Sequence, residues 1–166
     1  MSTRDPRPYA RPVLTTRLAA VAVGVLVATV LPGCGRSGLS PEAVEASARW
    51  DAGDLLDAYA FTLTSSCGER LLLGTYRVTV VHGDVTDVTG LDDVGVRIAR
   101  MGQDLTRLVP TVGGLLDRIA RDDADDVAEV TFDADSGVPT SVTFDPRRDT
   151  ADDEECYTVA DVRASP

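Results

Sequence analysis

The sequence lacks lysine entirely and has a single histidine, His82, so several classes of enzyme are missing residues that they use. It contains no G-x-S-x-G, H-E-x-x-H or S-x-x-K motif and no glycine-rich phosphate loop. His82 stands beside Gly83 between two strand patterns, a position typical of an exposed hairpin turn and not of a catalytic base. We therefore expect a protein that is not an enzyme and that has no cofactor.

Basic residues are scarce relative to acidic ones. The chain has 16 basic and 27 acidic residues, and without residues 1–33 the balance is 12 against 26, a net charge of −14. Such a domain repels phosphate backbones and anionic lipid headgroups, which excludes nucleic acid as an expected partner. Aromatic residues make up only 5%, but the hydrophobic content of 43% still favours a compact fold.

No apolar run is long enough to cross a bilayer. The longest uninterrupted run covers residues 18–31, which is 14 residues, whereas a membrane-spanning helix needs about 20. Four arginines and one aspartate precede this run. A cationic start followed by a short apolar stretch is typical of a signal peptide, and we assign it to residues 1–33.

The apolar run ends in Leu31-Pro32-Gly33-Cys34, which resembles the lipobox of bacterial lipoproteins. The resemblance implies cleavage before Cys34, lipid on its thiol, and anchoring to the extracytoplasmic face of the cell membrane. Two acyl chains make such an anchor stable. An uncleaved signal anchor with an incidental cysteine is the alternative. We predict a flexible tether over residues 34–41 and one domain over residues 42–163.

The chain has only three cysteines, an awkward number for an oxidising compartment. If Cys34 carries lipid, Cys67 and Cys156 remain, and outside the cytoplasm we expect them to be oxidised to each other. A bridge that closes a loop of about 90 residues stabilises by roughly 4 kcal/mol. A catalytic thiol is disfavoured because no histidine lies near either cysteine in sequence. A metal site is disfavoured because C-x-x-C spacing is absent.

Hydrophobic periodicity predicts an α+β fold. Helices are expected over about 41–52 and after Thr111, where Val112, Leu115, Leu116 and Ile119 form one apolar stripe. Alternation predicts strands over 56–65, 72–81, 84–88, 127–133, 142–144 and 156–162. Short connections favour a mostly antiparallel sheet of about five to six strands, with two or three helices packed on one face.

Residues 91–109 give a mixed pattern. Five apolar residues are spaced like one helical face: Val94, Ile98, Met101, Leu105 and Leu108. Gly95 and Gly102 interrupt that face and lower its helix propensity. We predict that the segment is partly helical.

Six acidic residues lie within residues 145–155. Oxygen-rich clusters can bind Ca²⁺ outside the cell, and Asp152, Asp153 and Glu154 are the weak candidates here. Asp133-x-Asp135-x-Gly137 begins like a calcium-binding loop, but its twelfth position is Phe144 where glutamate is needed. A solvated turn before the last strand explains the cluster better than a metal site does, and we assign no metal site.

Several motifs together resemble a known family. They are Cys67-Gly68-Glu69-Arg70, Tyr76-Arg77-Val78-Thr79-Val80, Pro110-Thr111-Val112, Val130-Thr131-Phe132-Asp133, Gly137-Val138-Pro139-Thr140-Ser141 and Asp152-Asp153-Glu154-Glu155-Cys156-Tyr157. The combination resembles the DUF6174 family of small actinobacterial lipoproteins of unknown function. The resemblance implies export, a lipid anchor and a Cys67–Cys156 pair, and it implies no activity.

Three functions remain open at this stage. The leading interpretation is a membrane-anchored, non-enzymatic binding or interaction module whose protein or envelope ligand is unknown. The alternatives are a Ca²⁺-dependent module that uses residues 145–155 and a small inhibitor of secreted hydrolases. An exposed loop with an apolar tip at residues 91–109 favours the inhibitor, and a buried helix there disfavours it.

Overall fold

The computed structural model describes residues 40–55, 57–68, 71–121, 126–147, 149–150 and 152–165, which belong to one compact unit. The predicted signal peptide, Cys34 and most of the predicted tether lie outside the described residues. The helices are α1 (Pro41–Asp51), α2 (Asp93–Ala99) and α3 (Val112–Arg121), with a 3-10 turn at Leu105–Arg107. The strands are β1 (Ala58–Ser65), β2 (Gly74–Val81), β3 (Asp84–Gly90), β4 (Val127–Phe132), β5 (Pro139–Phe144) and β6 (Glu155–Ala164).

The six strands form one antiparallel sheet in the order β3-β2-β1-β6-β5-β4. Two three-strand meanders therefore meet at the centre, where the first strand of the domain pairs with its last. The α+β prediction is confirmed, with six strands and three helices in the described residues. No helix among these residues has the length and apolar character needed to span a bilayer.

Alternation along β1 creates the central part of the core. Tyr59, Phe61 and Leu63 point to one face of the sheet and are 3%, 0% and 0% exposed. Their partners on β2 in the antiparallel register are Val80, Val78 and Tyr76, which are equally buried. The predicted apolar stripe of α3 is also confirmed, since all four of its residues are buried in the same cluster.

Left-handed backbone conformations explain the residues found in two of the turns. His82 and Gly83 have φ angles of 51° and 87°, so both central residues of the β2–β3 hairpin are left-handed, as a type I′ turn requires. Gly137, in the β4–β5 turn, has φ 75° and packs directly on the Ala46 carbonyl of α1. A methyl group there would clash with that carbonyl, which explains the glycine at the start of the Gly137–Ser141 motif.

The segment after β3 is partly helical, as predicted, but its apolar residues do not share one face. The helix ends at Ala99, so Leu105 turns inward and is 6% exposed while Met101 and Leu108 are 59% and 42% exposed. Gly95 is the reason for the close packing of α2. A Cβ atom on it would lie 2.6 Å from the Thr75 carbonyl oxygen, so only glycine lets α2 approach β2 this closely.

Candidate functional site

The predicted disulfide is present at one end of the two central strands. Cys67 follows β1 by two residues and Cys156 is the second residue of β6, with their Cα atoms 5.3 Å apart. The amide of Ser66 donates to the carbonyl of Cys156 over 3.1 Å, which extends the β1–β6 pairing to the bridge. Tyr157 and Val159 face the core, so Cys156 belongs to the other face, and the bridge fits because it lies at the end of the sheet.

Glu155 forms a buried ion pair that was not predicted from the sequence. Two guanidinium nitrogens of Arg118, on α3, donate to its carboxylate oxygens over 2.8 and 3.0 Å. The hydroxyl of Tyr157 donates to the same carboxylate over 2.7 Å, and the Arg118 guanidinium lies 3.7 Å from the centre of the Phe144 ring. Glu155 is 8% exposed, and a carboxylate at this depth requires such partners. This group therefore fastens α3 to the sheet.

The other acidic residues before β6 also have structural roles. Asp153 accepts a hydrogen bond from Arg147 over 2.8 Å, Asp152 adopts a left-handed φ of 70°, and the Glu154 carbonyl packs on Gly68. Within the part of the chain that the structure describes, no three histidine, cysteine or acidic side chains are grouped to hold a metal ion. Asp152, Asp153 and Glu154 thus shape a turn that leads into the disulfide.

His82 lies at the exposed tip of the β2–β3 hairpin, as the sequence predicts. Its amide donates to the carbonyl of Asp57 over 2.7 Å, which fixes the hairpin to the chain entering β1. The residue is thus held by its backbone while its side chain remains in solvent.

Exposed apolar side chains concentrate in one segment. Among the described residues, six large hydrophobic side chains are exposed, and four of these lie within residues 91–108: Leu91, Val94, Met101 and Leu108. On and just after α2, Val94, Arg97, Arg100 and Met101 are exposed, whereas Ile98 is half-buried against the core. We call Val94, Arg97, Arg100 and Met101 the α2 surface.

The helix that carries the α2 surface packs closely against the sheet. Asp92 caps the helix by accepting a hydrogen bond from the Gly95 amide over 2.6 Å, and this bond lowers the pKa of the Asp92 carboxyl. Neither Arg97 nor Arg100 forms a salt bridge with a described residue. The arrangement presents apolar groups and two available guanidinium groups on a domain that is otherwise acidic.

The fold and these sites define a small α+β domain built of two meanders, with a disulfide at one end of its two central strands. A protein-family model, described as a family of unknown function (DUF6174), matches residues 42–164. The chain therefore belongs to the DUF6174 family. No protein with a curated description and no solved structure matches it.

Proposed function

We propose that this protein is a non-enzymatic binding module, held by lipid on Cys34 at the extracytoplasmic face of the cell membrane. The leader of residues 1–33 and the lipobox-like Leu31–Cys34 support export and anchoring. The Cys67–Cys156 bridge agrees with that location because disulfides persist in oxidising compartments. The membrane contact is made by the lipid, since the domain itself is strongly acidic.

The α2 surface is the observation that carries the binding role. Exposed apolar groups on a rigid element are a common feature of interaction sites, and methionine and arginine are enriched in them. Arg97 and Arg100 add positive charge beside Val94 and Met101. We therefore propose a protein partner whose contact surface has an apolar centre and acidic residues at its rim.

A photo-crosslinking amino acid at Met101 tests this binding role in the full-length protein in its host membrane. We expect a discrete adduct with another polypeptide, and an adduct yield roughly tenfold lower when Arg97→Glu and Arg100→Glu are added. Reversing two charges at the rim of an interface is expected to weaken binding by up to about 1 kcal/mol each, which is enough for a tenfold change. The measurement is adduct yield by gel and mass spectrometry, at low and high salt.

Val44 provides the matched control position because it is also an exposed apolar residue, on α1, at 46%. The role of the α2 surface would be refuted by crosslinks of equal yield from positions 44 and 101. It would also be refuted if the two arginine substitutions left the yield at position 101 unchanged. An adduct with lipid alone at position 101 would refute the protein partner.

Intact mass spectrometry of the membrane fraction tests the anchor. We expect a mass that begins at Cys34 and carries diacylglycerol, and that rises by about two hydrogens on reduction of the bridge. A Cys34→Ser variant is expected to be released from the membrane or retained with its leader. A wild-type mass that still includes residues 1–33 would rule out cleavage at Cys34.

The two alternatives receive less support from the contacts. An inhibitor that inserts a loop needs an extended segment, but α2 and a 3-10 turn occupy much of residues 91–109, and Leu105 and Val109 are buried although Met101 is exposed. A Ca²⁺-dependent module would use Asp152, Asp153 and Glu154, but Asp153 is bonded to Arg147. A binding module is the function that these observations favour.

A further inference from the structure

A cavity of about 250 Å³ opens between α1, α3 and the tip of the β2–β3 hairpin. Its inner wall is made by Trp50, Tyr59 and Leu116, all buried, and Asp51 and Asp117 stand at its rim. It lies beside Gly83, whereas α2 packs at Gly74 and Gly90, at the other ends of β2 and β3. The cavity is therefore separate from the α2 surface.

Trp50 brings a hydrogen-bond donor to this cavity, because its indole nitrogen lies beside Gly113, which also lines the cavity. The residue is only 5% exposed, and its indole N–H forms no hydrogen bond with any described residue. Burial raises the pKa of the hydroxyl of its neighbour Tyr59, and hydrogen bonding at the start of α3 partly opposes that rise. The indole donor is thus available to a ligand.

The rim of the cavity is negatively charged. Asp51 on α1 and Asp117 on α3 are exposed, and neither forms a salt bridge with a described residue. None of the described residues that line the cavity is basic. The remainder of the acidic domain reinforces the attraction of a cation to this rim.

We propose that this cavity binds one small organic cation, an ammonium or guanidinium group with a hydrogen-bond acceptor nearby. The carboxylates of Asp51 and Asp117 accept hydrogen bonds from the N–H groups of the cation, and the aromatic wall attracts its positive charge. The Trp50 N–H donates a hydrogen bond to the acceptor atom of the ligand. At about 250 Å³ the cavity is smaller than the range of roughly 300–1,000 Å³ for drug-sized ligands, so it suits a single short chain. That chemistry is supplied either by a free amine or by a lysine or arginine side chain of a protein.

Trp50 is the only tryptophan in the chain, so intrinsic fluorescence reports directly on the cavity. The full chain is titrated at constant ionic strength with ethanolammonium, N-acetyl-lysine methylamide and N-acetyl-arginine methylamide. The neutral controls are ethylene glycol and N-acetyl-norleucine methylamide. We expect a saturable change in Trp50 emission with cationic probes only.

Asp51→Asn together with Asp117→Asn is expected to weaken that binding at least tenfold. Both residues are exposed, so the fold is expected to persist, which far-UV circular dichroism and Tm verify. Asp93→Asn, an exposed acid on α2, is the matched control and is expected to leave the affinity unchanged.

Saturation by the ethanolammonium probe identifies a free amine as a sufficient ligand, and saturation by the lysine or arginine probes alone identifies a protein side chain. Equal responses to neutral and cationic probes would overturn the proposal. An unchanged affinity in the folded Asp51/Asp117 variant would also overturn it, as would the absence of any saturable response.

Discussion

Replacing both Cys67 and Cys156 with serine is expected to lower the free energy of unfolding by about 4 kcal/mol. The two residues are 89 positions apart, so the bridge closes most of the domain into one loop and removes many conformations from the unfolded chain. Domains of this size have total stabilities of about 5–15 kcal/mol, so the loss is a large part of the whole. Urea denaturation followed by circular dichroism measures it.

Two comparisons make the disulfide prediction specific. Reduced wild-type protein is expected to match the double serine variant, while Cys34→Ser, which leaves the bridge intact, is expected to match oxidised wild type. A difference below about 1 kcal/mol between oxidised and reduced protein would contradict the assignment of the bridge as the main constraint on the unfolded chain.

Replacing Arg118 with methionine is expected to destabilise the domain by about 3 kcal/mol. The change leaves the Glu155 carboxylate buried without the bidentate hydrogen bonds from Arg118. Removing one partner of a buried ion pair costs about 3–5 kcal/mol. We take the lower end because the Arg118 side chain is 32% exposed and partly screened by water. Chemical denaturation at neutral pH measures the change.

A second substitution separates lost charge pairing from lost packing. Adding Glu155→Met to Arg118→Met is expected to restore at least half of the lost stability, because no unpaired buried carboxylate remains. Arg147→Met is the control: its side chain is 68% exposed, so loss of its pair with Asp153 is expected to cost less than about 1 kcal/mol. A double variant less stable than Arg118→Met alone would contradict the role given to the pair.

Local patterns predicted the elements whose environment is set by near neighbours. Alternation in β1 placed Phe61 and Leu63 in the core, and His82-Gly83 gave the hairpin, because both depend on residues two or four positions apart. The stripe of α3 was equally clear because its helix packs by one face.

Features that depend on distant contacts were not predictable in this way. Gly95 counted against a helix by propensity, but its missing side chain is what lets α2 lie against Thr75. Glu155 was assigned to a solvated acidic turn, whereas its alternation with Tyr157 and Val159 was the available signal that it faces inward. Nothing local indicated its partner, since Arg118 is 37 residues away on a helix.

The candidate sites also divide into those that the sequence predicts and those that depend on distant contacts. The cysteine pair followed from a count of three cysteines, which needs no geometry. The cavity could not be foreseen, because Trp50 and Asp51 come from α1 whereas Asp117 comes from α3, and only the packing of the two helices brings them together. The α2 surface became visible only when Leu105 proved to be buried and Met101 exposed.

The order of strands also determines when this domain can finish folding. Each meander pairs residues close in sequence, but the β1–β6 pairing joins Tyr59 to Ala164, near the end of the chain. Chain segments so far apart meet slowly, and an exported polypeptide emerges from the membrane with its C-terminus last. On the proposed export route, the domain is therefore expected to stay open, with its two thiols apart, until β6 has crossed the membrane. Under that proposal, formation of the Cys67–Cys156 disulfide, with two electrons passing to an oxidant outside the cytoplasm, marks the export of the last strand as well as the end of folding.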